Sequence, residues 1–241
     1  MVSDDRIEGN MMLPQMPAAV IFDMDGLIFD TEALYQQAFQ AASTAGGHNL
    51  PTTLLQSTIG VPWAQSRLSF LEQMGSDFPV DQYGREVTDH FTSLAATQLR
   101  LKPGVVELLD VLDQLEMPRC IATSSSHSTV QSHLSAHNLG SRFDAVIAHG
   151  DYVAGKPAPD PFMAAAKALC VEPALCLALE DSFNGVRSAS AAGMMTLMVP
   201  DLLTPTPEIH SLCTGVVNDL HAVRELILMA SVAGSQLQTL R

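Results

Sequence analysis

Two carboxylates in Asp23-Met24-Asp25-Gly26 follow directly on the apolar run Ala18–Phe22, and Gly26 lets the chain turn sharply away. Carboxylates at the end of a buried strand are costly unless they meet a cation or share a proton. A second acidic pair, Glu180-Asp181, ends the run Leu175–Leu179 and leads to Ser182, Asn184 and Gly185. Together the two pairs supply hard oxygen ligands of the kind Mg²⁺ takes. Thr123-Ser124-Ser125-Ser126 closes a third run, and hydroxyls with backbone N–H groups at a strand-to-helix turn make a natural phosphate cradle. Lys156, one of three lysines, lies in the proline-braced Gly155-Lys156-Pro157-Ala158-Pro159-Asp160, where an ammonium can be held in a fixed place. Singly, these stretches read as a solvated turn, two helix caps and a surface lysine. Four of them in this order, each at or beside a strand end, point to one anion- and cation-binding crevice.

The elements that must position them are short. Apolar runs at Ala18–Phe22, Cys120–Ala122, Ala145–Ala148, Leu175–Leu179, Met195–Val199 and Gly215–Val217 lack polar alternation, which suits strands covered on both faces. Helical spacing intervenes: Val105, Leu108, Leu109, Leu112 and Leu115 share a face, and Pro118 follows. Asp160-Pro161 is expected to cap and start a helix over Phe162–Leu169, and Asn184–Ala192 a helix closed by Gly193. This alternation predicts an α/β domain with a doubly wound parallel sheet, whose ligand crevice lies beyond the carboxyl ends of the strands.

One segment breaks the pattern. From Glu32 to Leu101 only helical spacing occurs, in Leu34, Ala38, Ala41 and Ala42, then Leu68, Leu71 and Met74, then Val87, Phe91, Leu94 and Ala95. The expected division is an α/β core of residues 17–31 and 102–228, a helical cap of 32–101, and terminal extensions 1–16 and 229–241, the last loosely attached.

Composition narrows the partners. A net charge of −14 argues against nucleic acid and anionic membranes, both of which require a basic footprint. No run reaches the ~20 apolar residues of a membrane span. Asp4, Asp5, Arg6 and Glu8 sit where an export signal needs a basic then apolar stretch, so a cytoplasmic location is expected. Cys120, Cys170, Cys176 and Cys213 show no CxxC spacing and read as reduced core residues.

Taken in order, the four stretches resemble the motifs of the haloacid dehalogenase-like hydrolase superfamily: Asp23-Met24-Asp25-Gly26 its first, Thr123 its second, Lys156 its third and Glu180-Asp181 its fourth. The resemblance runs from about residue 18 to residue 225 and implies a Rossmann-like doubly wound parallel sheet with an inserted all-helical cap. It further implies a Mg²⁺-dependent phosphatase acting on a small phosphorylated metabolite, a sugar phosphate or a nucleoside monophosphate. In that scheme Asp23 attacks phosphorus and Asp25 serves as acid and then base. Asp23, the Asp25 carbonyl and Asp181 hold Mg²⁺, with Glu180 acting through a coordinated water, while Thr123 and Lys156 grip the phosphoryl oxygens. Asp25 and Asp181 argue against dehalogenation, and Asp25 against phosphonate cleavage.

Within the superfamily the chain is most similar to the group containing β-phosphoglucomutase, 2-deoxyglucose-6-phosphatase and pseudouridine-5′-phosphate phosphatase. A mutase needs a cap cation for its second phosphate. The corresponding loop, Ile59-Gly60-Val61-Pro62-Trp63, offers none before Arg67, and Tyr35 stands where the mutase has histidine. Hydrolysis is therefore expected over a phosphosugar mutase. A silent metabolite-binding protein should have lost a motif residue, and none is missing.

Several residues keep two readings. Trp63, the single tryptophan, could stack on a sugar or base or simply pack within the cap; Ser124, Ser125 and Ser126 are expected beside the substrate, the last two on position alone. His127, His133 and His137 read as solvated or capping residues, with His127 a candidate substrate contact. The Met194–Met198 cluster reads as core filling, and a monomer or weak homodimer is expected.

Overall fold

The computed structural model describes residues 11–58, 61 and 63–238. Within them six short runs pair into one parallel sheet: β1 (Ala19–Phe22), β2 (Arg119–Ala122), β3 (Ala145–Ile147), β4 (Cys176–Glu180), β5 (Met195–Met198) and β6 (Gly215–Val216). The order is β3-β2-β1-β4-β5-β6, so the chain winds outward on both sides of a central β1. Phe22 stands opposite Ile121 of β2 and Leu179 of β4. That register delivers Asp23, Thr123 and the Glu180-Asp181 pair to one edge of the sheet, where the strand order reverses.

The period of two along each strand explains the two-sided cover. Val20, Phe22, Ile121, Leu177 and Leu179 feed one core, while Ala19, Ile21, Cys120, Ala122, Cys176 and Ala178 feed the other. The helices are α1 (Glu32–Gly46), α2 (Thr52–Gln56), α3 (Trp63–Met74), α4 (Val80–Gln98), α5 (Val105–Gln114), α6 (His127–Ala136), α7 (Asp160–Ala168), α8 (Phe183–Ala191), α9 (Pro207–Leu212) and α10 (Leu220–Gln238). Val105, Leu108, Leu109 and Leu112 of α5 join the first core, with α10 packed alongside, and Phe162 of α7 anchors the second.

α1 to α4 form the inserted helical cap. α1 and α4 pack along each other, and the Tyr35 and Phe91 rings stack with centroids 3.9 Å apart. Its two connections to the sheet run side by side: Asp30 N–H donates to Arg100 O over 2.9 Å, and Lys102 N–H to Ile28 O over 2.9 Å. Lys102 also reaches Asp201, in the loop after β5, at 2.7 Å.

The structure corrects several expectations. The chain does not come loose at Leu228: α10 runs on to Gln238, and Ala230 prolongs the stripe of Leu220, Val223, Leu226 and Ile227 and is buried. Leu13 is buried and Met11 packs against Gly215, so the end of the leading extension is also held down, while Met1–Asn10 lie outside the described residues. Asp160 is the first residue of α7 rather than its cap, and its carboxylate accepts from Ala154 N–H at 3.2 Å. Helix α8 starts at Phe183, capped by Ser182, whose hydroxyl accepts the Gly185 N–H. Glu180 belongs to β4, and Leu175 to a short turn before it. Leu68 points outward, since Ser66 and Phe70 take the inner face of α3. Cys120 and Cys176 are core residues as expected, but Cys213 is half-buried and Cys170 is exposed; all four are free thiols.

Candidate active site

Asp23 leaves β1 with its backbone N–H still bonded to Leu179 O at 3.0 Å, so the strand ladder fixes where its carboxylate starts. Lys156 reaches it from the loop before α7, donating from Nζ to Asp23 Oδ1 and, over 2.5 Å, to Glu180 Oε1. The other Glu180 oxygen accepts from the Ser182 N–H at 3.2 Å and its hydroxyl at 3.0 Å. Gly185 must lack a side chain here, because a Cβ would fall 1.8 Å from the Glu180 carboxyl carbon. The Phe162 ring lies 5.1 Å beneath the ammonium and closes the bottom of the site.

Asp181 completes the cluster. One oxygen from each of Asp23, Glu180 and Asp181 lies within 4.8 Å of the others, and all three side chains are buried. Burial raises the Asp23 carboxyl above its ordinary value, with Glu180 and Asp25 adding to the rise and Lys156 opposing it. Burial likewise raises Asp181, reinforced by Asp23, Glu180 and Glu32. Lys156 would lose its proton more readily through burial alone, but Asp23 and Glu180 outweigh that and hold it charged. Three buried carboxylates thus face one ammonium.

That imbalance tests the fit of a divalent cation. The donors are hard oxygens, close enough to share one ion, and the negative charge they bring together exceeds what Lys156 offsets. The residues fit a cation of the Mg²⁺ type.

Asp25 faces the second wall of the crevice. Its Oδ2 accepts the Ser125 hydroxyl at 2.7 Å and lies 3.5 Å from Thr123 Oγ1, while its Oδ1 is shut off from solvent with no partner. The Thr123 hydroxyl oxygen accepts Ser125 N–H at 3.0 Å, and Tyr152 donates its phenol proton to Thr123 O at 3.2 Å. The loop after β2 is therefore braced before any ligand arrives.

A cavity of about 950 Å³ separates this floor from the cap. It receives Asp23, Asp25, Thr123, Ser124, Ser125, Lys156 and Asp181 from the core and Trp63 from the cap. Glu180 is the exception, sealed beneath Lys156 with no exposed surface. Trp63 packs within the cap, against Phe70 and over Gly84, where a Cβ would meet its ring at 2.3 Å, and it also lines the cavity. The neighbouring loop positions Ile59, Gly60 and Pro62 lie outside the described residues.

His127 is exposed as expected, whereas His133 is not. His127 does not line the cavity and pairs instead with Asp151 at 2.8 Å. His133 is buried, with its ring against Phe29 and Phe91, because α6 turns that face toward the join of cap and core; burial lowers its pKa. His149, overlooked in the sequence, does line the cavity, and its N–H is tied to Ser125 O at 2.9 Å. Glu32, Gln36 and Gln40 were also missed, although spacings of four along α1 put them on one face.

A family model described as "Haloacid dehalogenase-like hydrolase" matches residues 20–199. The chain is 34% identical over 187 residues to a Drosophila melanogaster protein named "Probable pseudouridine-5'-phosphatase", covering 75% of this chain and 80% of that one. It is 30% identical over 179 residues to Escherichia coli "Fructose-1-phosphate phosphatase YqaB", covering 73% of this chain and 93% of that relative. Among solved structures, CbbY from Rhodobacter sphaeroides in complex with phosphate superposes with a TM-score of 0.71 at 27% identity, over 85% of this chain and 95% of that one.

Proposed function

Since the chain belongs to the haloacid dehalogenase-like hydrolase family, we propose that it is a Mg²⁺-dependent phosphatase of a small phosphorylated metabolite, a sugar phosphate or nucleoside monophosphate, working through an aspartyl-phosphate. The observation that carries the reading is the meeting of Asp23, Lys156 and Asp181 at a cavity floor with Asp25 across from them. The names of the two relatives, a pseudouridine-5'-phosphatase and a fructose-1-phosphate phosphatase, support it.

Asp23 attacks the phosphoryl group and keeps it as an acyl phosphate. Asp25, held by Ser125, gives its proton to the departing alkoxide and then takes one from the water that cleaves the acyl phosphate. Lys156 and Thr123 hold non-bridging oxygens and offset their growing charge. Glu180 fixes Lys156 from behind. Asp23, the Asp25 carbonyl and Asp181 would hold Mg²⁺, with Glu180 reaching it through water. When bound, the ion neutralises phosphoryl charge that a chain of net charge −14 would otherwise repel. The helical cap over the sheet excludes bulk water during the first transfer.

A phosphosugar mutase is not favoured, because among the described residues no lysine or arginine of the cap lines the cavity. Phosphate release from an aryl phosphate tests the proposal. Asp23→Asn protein should release none, and EDTA should stop the wild type until Mg²⁺ is restored. Turnover by the Asp23→Asn protein, or metal-independent turnover, contradicts it.

A further inference from the structure

Gly84 stands inside α4, where glycine weakens a helix relative to alanine, and it also lines the cavity. The close approach of Trp63 accounts for it. A Cβ on residue 84 would lie 2.3 Å from Cζ2, 2.6 Å from Cε2 and 3.1 Å from Nε1 of the indole. Phe70, fully buried, braces the ring from within the cap, with centroids 5.6 Å apart. With those contacts made, Trp63 is still 36% exposed and faces the cavity. The helix thus goes without a side chain so that the chain's single tryptophan can stand as a wall of the site.

The surroundings of that wall suit a flat apolar face better than a polyol. Leu55, Val61 and Val87 line the cavity from the same cap. The aliphatic hydroxyls among the described cap lining, on Thr58, Ser66 and Thr88, each turn the one proton they can donate back to a cap carbonyl. Thr58 donates to Leu55 O at 2.7 Å, Ser66 to Val61 O at 3.2 Å and Thr88 to Gly84 O at 2.9 Å. A bare sugar would bring several hydroxyls to a surface whose donors are already engaged, and polar groups left unpaired out of water are costly. An aromatic base asks for no donor from an indole, because it stacks face on face. The carboxamides of Gln36 and Gln40, which also line the cavity, remain for its polar edge.

Resting on the phosphatase reading, we propose that Trp63, seated by Gly84, is a specificity-determining residue that stacks on a nucleobase of the leaving group. Nucleoside monophosphates are then preferred over phosphates of the bare sugar.

The test compares uridine 5′-monophosphate with ribose 5-phosphate, esters of the same ribose hydroxyl with and without a base. With the full chain and Mg²⁺, kcat/KM should favour the nucleotide by about tenfold or more. Trp63→Leu should bring that ratio close to one, chiefly by raising KM for the nucleotide, whereas Trp63→Phe should keep part of it. Gly84→Ala, which drives the indole from its seat, should narrow the ratio as well. A wild-type ratio near or below one overturns the inference. So does a ratio that Trp63→Leu or Gly84→Ala leaves unchanged, the mark of a ring that only packs. The lone tryptophan also reports the contact directly. Titrated into Asp23→Asn protein with Mg²⁺, the nucleotide should quench the indole emission saturably and ribose 5-phosphate should not. No quenching by the nucleotide, or equal quenching by both, overturns the inference. Should Trp63→Leu fail to fold, Gly84→Ala and this titration decide by the same criteria. Absence of turnover on both esters overturns the phosphatase reading alone, and the titration then decides the stacking by itself.

Discussion

Gly26 turns directly against the Asp181 carboxylate: with φ at +80°, a Cβ on residue 26 would lie 2.3 Å from Asp181 Oδ2. The turn that carries the chain away from Asp25 is therefore also the wall against which the second acidic pair is set. The single Gly26 N–H is shared between Thr31 Oγ1 at 3.1 Å and Phe29 O at 2.9 Å.

Gly26→Ala should consequently do two things. The left-handed backbone costs an alanine about 1–2 kcal/mol, and the displaced Asp181 adds to that. For a chain of this size each kcal/mol is worth roughly 2–4 °C of Tm. The variant should melt several degrees lower, and its activity should require about tenfold more Mg²⁺ for half-saturation. Unchanged melting and an unchanged Mg²⁺ requirement would show that Asp181 has room to move aside.

Much of this arrangement was legible because its parts sit at strand ends, where one-dimensional order carries three-dimensional meaning. Asp23, Thr123 and the Glu180-Asp181 pair each follow an uninterrupted apolar run, and parallel pairing in register brings such positions to one edge. The cap could be read from the lack of strands between Glu32 and Leu101. What escaped depends on partners distant in sequence. His133 resembles a solvated helical histidine until Phe29 and Phe91 close over it. Asp160 has the spacing of a cap, yet it is drawn inside the helix to accept from Ala154. Glu32 and His149 acquire meaning only when cap and core enclose one cavity.

Lys156 should prove a structural residue as much as a functional one. Glu180 has no exposed surface, and without the ammonium only Ser182 would satisfy it. Removing one partner of such a buried pair costs about 3–5 kcal/mol. Lys156→Met should lose about that much in denaturant unfolding, and Lys156→Met combined with Glu180→Gln should regain part of it. Equal stability of the single and double variants would mean the two residues do not depend on each other.

Ser125 should matter through Asp25. The serine hydroxyl is the 2.7 Å donor to Asp25 Oδ2, whereas Ser124 beside it is exposed and makes no such bond. Ser125→Ala frees the carboxylate to rotate and should lower kcat about tenfold with little change in KM, a loss typical of a misaligned acid–base group. Ser124→Ala should act mainly on KM. If the two substitutions behaved alike, the hydrogen bond would not be what orients Asp25.

Metal-free protein should weaken as pH rises, against the usual trend for acidic side chains. Burial is the main cause that lifts the Asp23 carboxyl from 3.8 to about 8, and it lifts Asp181 well above 3.8. A group whose folded pKa exceeds its unfolded one stabilises fully below the unfolded value and loses that contribution as pH climbs through the folded one. For Asp23 the window runs from 3.8 to about 8. Lys156, raised above 10.5, contributes constantly across that window, because its own loss begins only at higher pH. In EDTA the folding free energy should therefore fall by about 1 kcal/mol per pH unit between roughly pH 5 and pH 8. A divalent cation removes the cause, since it takes the place of the protons on these carboxylates. The Tm increment from Mg²⁺ should accordingly grow with pH, and binding at about pH 6 should release protons to the buffer, seen as a buffer-dependent enthalpy in calorimetry. A Tm increment that stayed flat with pH, with no proton release, would mean that Asp23 and Asp181 are already ionised in the metal-free protein.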